Sequence, residues 1–548
     1  MTPGDRGAGL GGRAEWLVAL LVVVVATVVS TWPLATSPWL VPAHQDPLFS
    51  AWRIYQWTRN LAGGAPDGLF AGNIFHPAGD VLLYSDAIAL PALLGAPFIA
   101  AGVSVALVYA LLVWAAYLTA GLAMYACARE ISGSRWGALV AAAIFTGAPS
   151  RLDHVMHLEL LWTAWMPLAV LATARVFTGR GRAVWPLGAS LAAQVLCSIY
   201  YGVFLFTVWP LLAGLEWLRA RPRLPRATLT RGVVALGLAA VVAGAYAVPY
   251  QRARQVVGER SDLEVQTYSA TLASYAASPP TSRLWGWTAS DDDYERRLFP
   301  GLLGTSLAVT ALATPAAPWT MALAVTTAFA AEASTGLNGV TYPVLRVLAP
   351  PYRGLRVPAR FGAVTLLGVA LLAALGCANL ARVCGRWPGA SLVAVLVLVT
   401  VGVESAASVP TRALPHDAPP VYALLAALPP TVIVHAPLPL PERLPGAEAN
   451  YQYFAQYHRH ALVNGNSGFY PPAYLQLLER VRGFPDDRAL AALRATGAEY
   501  LLVHEQYYPT REAFGRVMSS LEARRDVVPV ATSRDDGGVV RVYRLLRE

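Results

Sequence analysis

The amino-acid sequence predicts an α-helical integral membrane protein with roughly eleven transmembrane helices, a re-entrant or juxtamembrane element and a C-terminal extracytoplasmic α/β domain. Three observations lead there. Of 548 residues, 55% are hydrophobic and only 14% charged, and the mean hydropathy is +0.45, too apolar for a soluble domain of mixed composition. Arg residues gather in short loops between apolar runs, the pattern of a positive-inside topology. After Pro410 the composition changes to alternating helical and β-branched segments, as a small α/β domain requires.

The formal net charge of +9 would suit a nucleic-acid partner in a soluble chain, but its distribution between apolar runs marks topology and excludes nucleic acid. Cys127, Cys197, Cys377 and Cys384 lie in or beside apolar runs and form no CxxC motif, so no disulfide framework or zinc motif is read.

Residues 1–13 are Gly-rich and carry Arg6 and Arg13, and 16–30 is an uncleaved first span that leaves the N-terminus cytoplasmic. Residues 32–101 form the first outer loop. Within it, 49–61 interleaves Phe49, Trp52, Ile54, Tyr55, Trp57 and Leu61 with Arg53, Gln56, Arg59 and Asn60, which predicts a helix lying along the membrane surface. The apolar run 88–101 is broken by Pro91, Gly95 and Pro97 and falls short of the roughly twenty residues a span needs. It is read as re-entrant or juxtamembrane. Further spans are expected at 103–128, 137–148, 160–176, 184–198, 201–218, 233–248, 301–314, 319–333, 361–377 and 392–403. The membrane domain thus covers 1–408 and the extracytoplasmic domain 409–548. In the latter, helices are expected at 421–428, 489–496 and 511–524, and strands at 431–435, 499–504, 527–532 and 539–545, the last two joined by the turn 535–538.

Four polar groups fall on the outer side of this topology. In His44-Gln-Asp46-Pro47, directly after the first span, Asp46 lies where a lipid-linked substrate would present its phosphate. Asp before Pro at a helix start also serves as a plain cap. His76, Asp80 and Asp86 flank the re-entrant piece. In Arg151-Leu-Asp-His-Val-Met-His-Leu-Glu159, His154 and His157 are three apart, as if on one helix face; they would supply two metal ligands, two phosphate donors, or imidazoles satisfied by water. Arg353, Arg356 and Arg360, on the outer side against the positive-inside bias, suit a lipid phosphate or pyrophosphate through bidentate guanidinium bonds, or the headgroups of bulk anionic lipid. Asp291-Asp-Asp293 is read as solvated surface.

The order of His44-Gln-Asp46-Pro47, His76 to Tyr84, Arg151 to Leu161 and Arg356-Val-Pro-Ala-Arg-Phe361 resembles bacterial polytopic glycosyltransferases of the GT-C superfamily, more narrowly an uncharacterised group related to enzymes that decorate cell-envelope polymers. Tyr200-Tyr-Gly202 and residues 495–504 share the likeness. The resemblance implies transfer of a hexosyl or pentosyl group from a polyprenyl-phosphate donor to a glycan, lipid or protein acceptor outside the cytoplasmic membrane. It implies that Asp46 is the general base or a metal-linked acid. From their outer-side placement and chemistry, His44, His76, Asp86, His154, His157, Arg353, Arg356 and Arg360 are expected to bind substrate. The one cofactor it leaves room for is a divalent metal, magnesium or manganese. The family's frequent Asp-Asp or Asp-Glu pair is absent, because Pro47 follows Asp46. A transporter or flippase of lipid-linked saccharides is the alternative; the absence of an internal repeat and the scarcity of acids within the apolar runs weigh against it.

Overall fold

The computed structural model describes residues 10–63, 68–289, 293–314, 316–383, 390–535 and 537–546. The chain forms two compact units, one of residues 1–43, 110–247 and 259–412, the other of 44–109, 248–258 and 413–548. Arg6, Cys384, Arg386, Asp291, Asp292 and Asp536 lie outside the described residues.

Six helices among the described residues are long and apolar enough to cross a membrane: Gly12–Ser30, Val105–Ser132, Leu158–Phe177, Ile199–Ala220, Arg226–Val257 and Pro358–Arg382. This corrects the expectation of eleven. The other five apolar runs are helical, at Arg135–Gly147, Val184–Cys197, Leu302–Ala311, Thr320–Ser334 and Ala390–Ser405, but at 1.5 Å per residue they rise only about 15–24 Å against the roughly 30 Å of a hydrocarbon core. Arg135–Gly147 shows why hydropathy overcounted. Residues 137–147 of it are buried without exception, packed between the first helix and the helices Gly362–Val383 and Ala390–Ser405. An apolar run answers to burial in protein as readily as to lipid.

Small residues permit that packing. A Cβ on Gly137 would lie 2.6 Å from the Ala374 carbonyl oxygen, and one on Gly376 would lie 2.0 Å from that of Leu307, so each glycine marks a backbone in contact with a neighbouring helix. The acids in the apolar runs finish helix ends. Glu404 accepts the Leu302 and Leu303 N–H groups at 3.0 and 3.2 Å, and Glu216 accepts that of Trp319 at 3.1 Å, satisfying donors that helix N-termini leave unpaired.

In the other unit, β1 (Val432–Ala436) lies between β2 (Ala461–Leu462) and β3 (Tyr500–His504), parallel to both. Strand β5 (Gly538–Leu545) pairs antiparallel with β3 and with β4 (Val527–Asp535), giving the order β2-β1-β3-β5-β4. The expected β-hairpin and α/β class are present; the helices Glu448–His458 and Pro472–Arg480 and the strand β2 are additions. Helix Asp46–Leu61 packs on Glu448–His458 and buries twelve residues, including Arg53, Gln56 and Asn60. Its polar residues are consumed internally, as in the bonds from Arg53 to the Asp86 carbonyl (3.0 Å) and Ser50 Oγ (3.1 Å). The helix expected over 49–61 is present, and Arg53, Gln56 and Asn60 on it are bonded to protein. The run 88–101 forms the 12-residue helix Ala89–Ala100.

Gly376→Val forces a branched side chain into the Leu307 backbone, so the expected cost is at least the 1–3 kcal/mol typical of overpacking. A lower unfolding temperature in detergent, with Gly402→Ala, whose Cβ meets nothing within 4 Å, as the neutral comparison, checks it.

Candidate functional site

The buried polar centre of the first unit is assembled from three turns. Pro149 opens the 3-10 turn Pro149–His154, and His157 is the N-cap of the short helix Leu158–Leu161. The two imidazoles therefore do not share one helix face, yet their ring centroids are 5.8 Å apart. A second turn, Tyr294–Arg296, is capped by Asp293, whose carboxylate accepts the Glu295 N–H at 2.9 Å. The third, Pro358–Phe361, presents Arg360 at the entrance to the helix Gly362–Val383.

Glu295 is 1% exposed and accepts two bonds from the Arg360 guanidinium, Nε at 3.0 Å and Nη2 at 2.5 Å. Arg360 lies over the Tyr200 ring, 4.6 Å from its centroid. Burial by itself would raise the Glu295 carboxyl, but Arg360 outweighs it and holds the group at about 2. His154 Nδ1 lies 3.9 Å from Glu295 Oε2, beyond hydrogen-bonding distance. Burial pushes this imidazole down to about 3, against the pull of Glu295, so it is neutral at physiological pH. Beside it, Arg297 Nη1 donates to Asp153 Oδ2 at 3.1 Å. Burial still lifts Asp153 to about 6, the Arg297 charge only partly opposing it.

Tyr200 links this centre to the next. Its hydroxyl accepts the Arg356 N–H at 2.9 Å, while the Arg356 guanidinium lies 3.6 Å from Glu264 and 5.4 Å from the Tyr268 ring centroid. The Arg353 side chain is exposed and donates through Nε to the Arg346 carbonyl at 3.2 Å. Thus Arg360 is buried and bidentate, Arg356 half-buried, and Arg353 outermost.

A small pocket of about 30 Å³ borders the centre, with Arg151, His154, Thr163 and Arg360 on its polar side and Leu160, Leu161, Leu298 and Leu366 among its apolar walls. Arg151 donates to Thr163 Oγ1 at 3.0 Å and lies 5.2 Å from the Tyr117 ring centroid. Guanidinium and imidazole groups thus meet an aliphatic wall at this point.

The remaining candidates belong to the other unit. Asp46 is the first residue of its helix and lies 3.5 Å from His44 Nδ1, which also accepts the Asp46 N–H at 3.3 Å. The His76 N–H donates to the Leu462 carbonyl at 2.8 Å, and burial lowers its imidazole. The Asp86 carboxylate accepts the Ala87 N–H at 2.7 Å. Among the described residues no three His, Cys, Asp or Glu side chains gather as a metal would need. Glu295, Asp153 and Arg297 were not singled out from sequence as partners of the imidazoles and guanidiniums. The signal for Glu295 was an acid set beside Arg296 and Arg297, immediately before the apolar Leu298.

These features define a polytopic α-helical membrane protein with a C-terminal α/β domain. No protein-family model and no curated protein sequence matches the chain. Among solved structures it is similar to the oligosaccharyltransferase AglB of Archaeoglobus fulgidus in complex with an inhibitory peptide and a dolichol-phosphate, at TM-score 0.50 and 11% identity over 97% of this chain and 74% of that one. The apo oligosaccharyltransferase of the same organism aligns at TM-score 0.49 and 12% identity, over 90% and 69%. The first likeness establishes a shared fold. That AglB is archaeal, so the likeness is not specifically bacterial.

Glu295→Gln keeps the shape but leaves the Arg360 charge without its counter-ion, a change that costs about 3–5 kcal/mol in comparable buried pairs; the unfolding temperature of purified protein reads it. The neutral His154 has a folded value of about 3 against an ordinary 6.5. Its contribution to stability is complete above about 6.5 and is lost as the pH falls toward 3. The drop in unfolding temperature between pH 7 and pH 5 is therefore expected to be smaller in His154→Asn than in the unsubstituted protein.

Proposed function

We propose that the protein is a membrane glycosyltransferase that moves a hexosyl or pentosyl group from a polyprenyl-phosphate donor to an extracytoplasmic glycan, lipid or protein acceptor. Its setting is a bacterial cytoplasmic membrane, with the N-terminus inside and the C-terminal domain outside. The observation that carries this reading is the centre of Arg360, Glu295 and His154 beside an apolar-walled cavity, within a unit rich in bilayer-length helices. The fold adds support, since a solved oligosaccharyltransferase that shares it was seen with a dolichol-phosphate and an inhibitory peptide.

In the proposed reaction an acceptor hydroxyl attacks the anomeric carbon, the bond from that carbon to the phosphate oxygen breaks, and polyprenyl phosphate leaves with inversion. Asp46 takes the proton of the hydroxyl, a role worth about 10²- to 10⁴-fold for a positioned base. Arg356 and Arg360, with His154 or His157, stabilise the phosphate as negative charge builds on it. Arg353, His44, His76 and Asp86 complete the proposed substrate contacts.

The test is transfer by purified protein in proteoliposomes, supplied with a panel of polyprenyl-phosphate sugars and envelope-derived acceptors. Asp46→Asn is expected to lower turnover by about 10²-fold or more with unchanged folding. Full activity in that variant would remove Asp46 as the base, and no turnover with any donor in the panel would overturn the glycosyltransferase reading.

A further inference from the structure

The helix Thr341–Leu348 is eight residues long, about 12 Å at the rise of an α-helix and far too short to cross a bilayer. Its outer side is nevertheless aliphatic. Val340, Val344, Val347 and Leu348, at i, i+4, i+7 and i+8, are 76, 49, 72 and 74% exposed. That spacing aligns them as one stripe. The opposite side is built into the protein: Tyr342 is 0% exposed and its hydroxyl donates to the Leu355 carbonyl at 3.0 Å. Glu332 accepts the Val340 and Thr341 N–H groups at 2.6 and 3.2 Å and so closes the N-terminal end.

The surroundings indicate what covers the stripe. The helix follows Thr320–Ser334 and packs against its end, and the chain then passes through the turn Pro350–Gly354 into the bilayer-length helix Pro358–Arg382. It therefore lies close in sequence to the start of a bilayer-length helix. Cations flank it. Arg346 binds Asp262 at 2.6 Å, and the exposed Arg353 binds the Arg346 carbonyl. An aliphatic stripe with the exposed Arg353 near its end, close in sequence to a bilayer-length helix, has the composition of a helix seated in the headgroup layer, where the apolar side is shielded from water and the cation meets lipid phosphate.

We propose that Thr341–Leu348 is an interfacial helix seated in the lipid bilayer, its Val340, Val344, Val347 and Leu348 side chains among the upper acyl chains. The bonds from Tyr342 to Leu355 and from Arg353 to Arg346 tie it to the segment that carries Arg356 and Arg360. The helix thereby sets the depth of those guanidiniums relative to the headgroups. This holds whichever chemistry the centre performs.

Single cysteines at Val347→Cys and, separately, Leu348→Cys would be spin-labelled in full-length protein in vesicles of phosphatidylcholine and phosphatidylglycerol. The unsubstituted chain, labelled alike, gives the background from the native cysteines. Arg511→Cys, where the arginine side chain is 93% exposed in the α/β unit, is the water-facing reference. Collision with oxygen is expected to exceed collision with a water-soluble nickel chelate at 347 and 348, with the reverse order at 511. Nickel-dominated collision at both helix positions would overturn the proposal. So would spin–spin broadening between labels on different molecules, which would mean that a second copy covers the stripe.

Discussion

The first unit depends on one buried ion pair. Glu295 and Arg360 come from turns far apart in the chain, and their two parallel hydrogen bonds pin the turn Tyr294–Arg296 to the entrance of the helix Gly362–Val383. Removing both charges from water costs several kcal/mol each, which only good geometry and further contacts repay. Here the geometry is bidentate, and the Tyr200 ring lies under the guanidinium. The pair also explains the neutral imidazole beside it. Because Arg360 satisfies the Glu295 carboxylate directly, His154 gains too little from the acid to offset its own desolvation.

The rest of the unit makes that pair possible by burying both of its side chains. Without a hydrophobic force between helices in lipid, association rests on van der Waals contact and interhelical bonds. The approach at Gly137 and Gly376 supplies the first, and Glu404 and Glu216, reaching the N-terminal amides of neighbouring helices, supply the second. The α/β unit has a buried polar network of its own. Asn464 brackets His435 by bonds to its N–H and carbonyl (2.6 and 3.1 Å) and reaches Glu448 at 3.2 Å. His435 Nδ1 lies 2.8 Å from His504 Nε2. Burial raises Glu448 to about 8, so this carboxyl is held largely as the neutral acid near pH 7.

Legibility followed the range of the interactions. The strands β3, β4 and β5 and the helix Arg511–Glu522 were readable because their patterns are local: alternation, β-branching and a Gly-rich turn. The motif around His154 and His157 was readable as chemistry, and the rings are neighbours, although a 3-10 turn and an N-cap place them rather than one helix. Arg353, Arg356 and Arg360 looked alike from sequence. Folding gives them three degrees of burial and three sets of partners.

By itself the sequence determined that this is a polytopic helical membrane protein ending in an α/β domain, because hydropathy and side-chain periodicity are properties of neighbouring residues. Tertiary structure alone decided which apolar helices reach bilayer length, which side of Asp46–Leu61 is buried, and that Glu295 neutralises Arg360. Each of those outcomes depends on what lies opposite a side chain. A residue's hydropathy does not distinguish lipid from protein, and its charge does not name its partner.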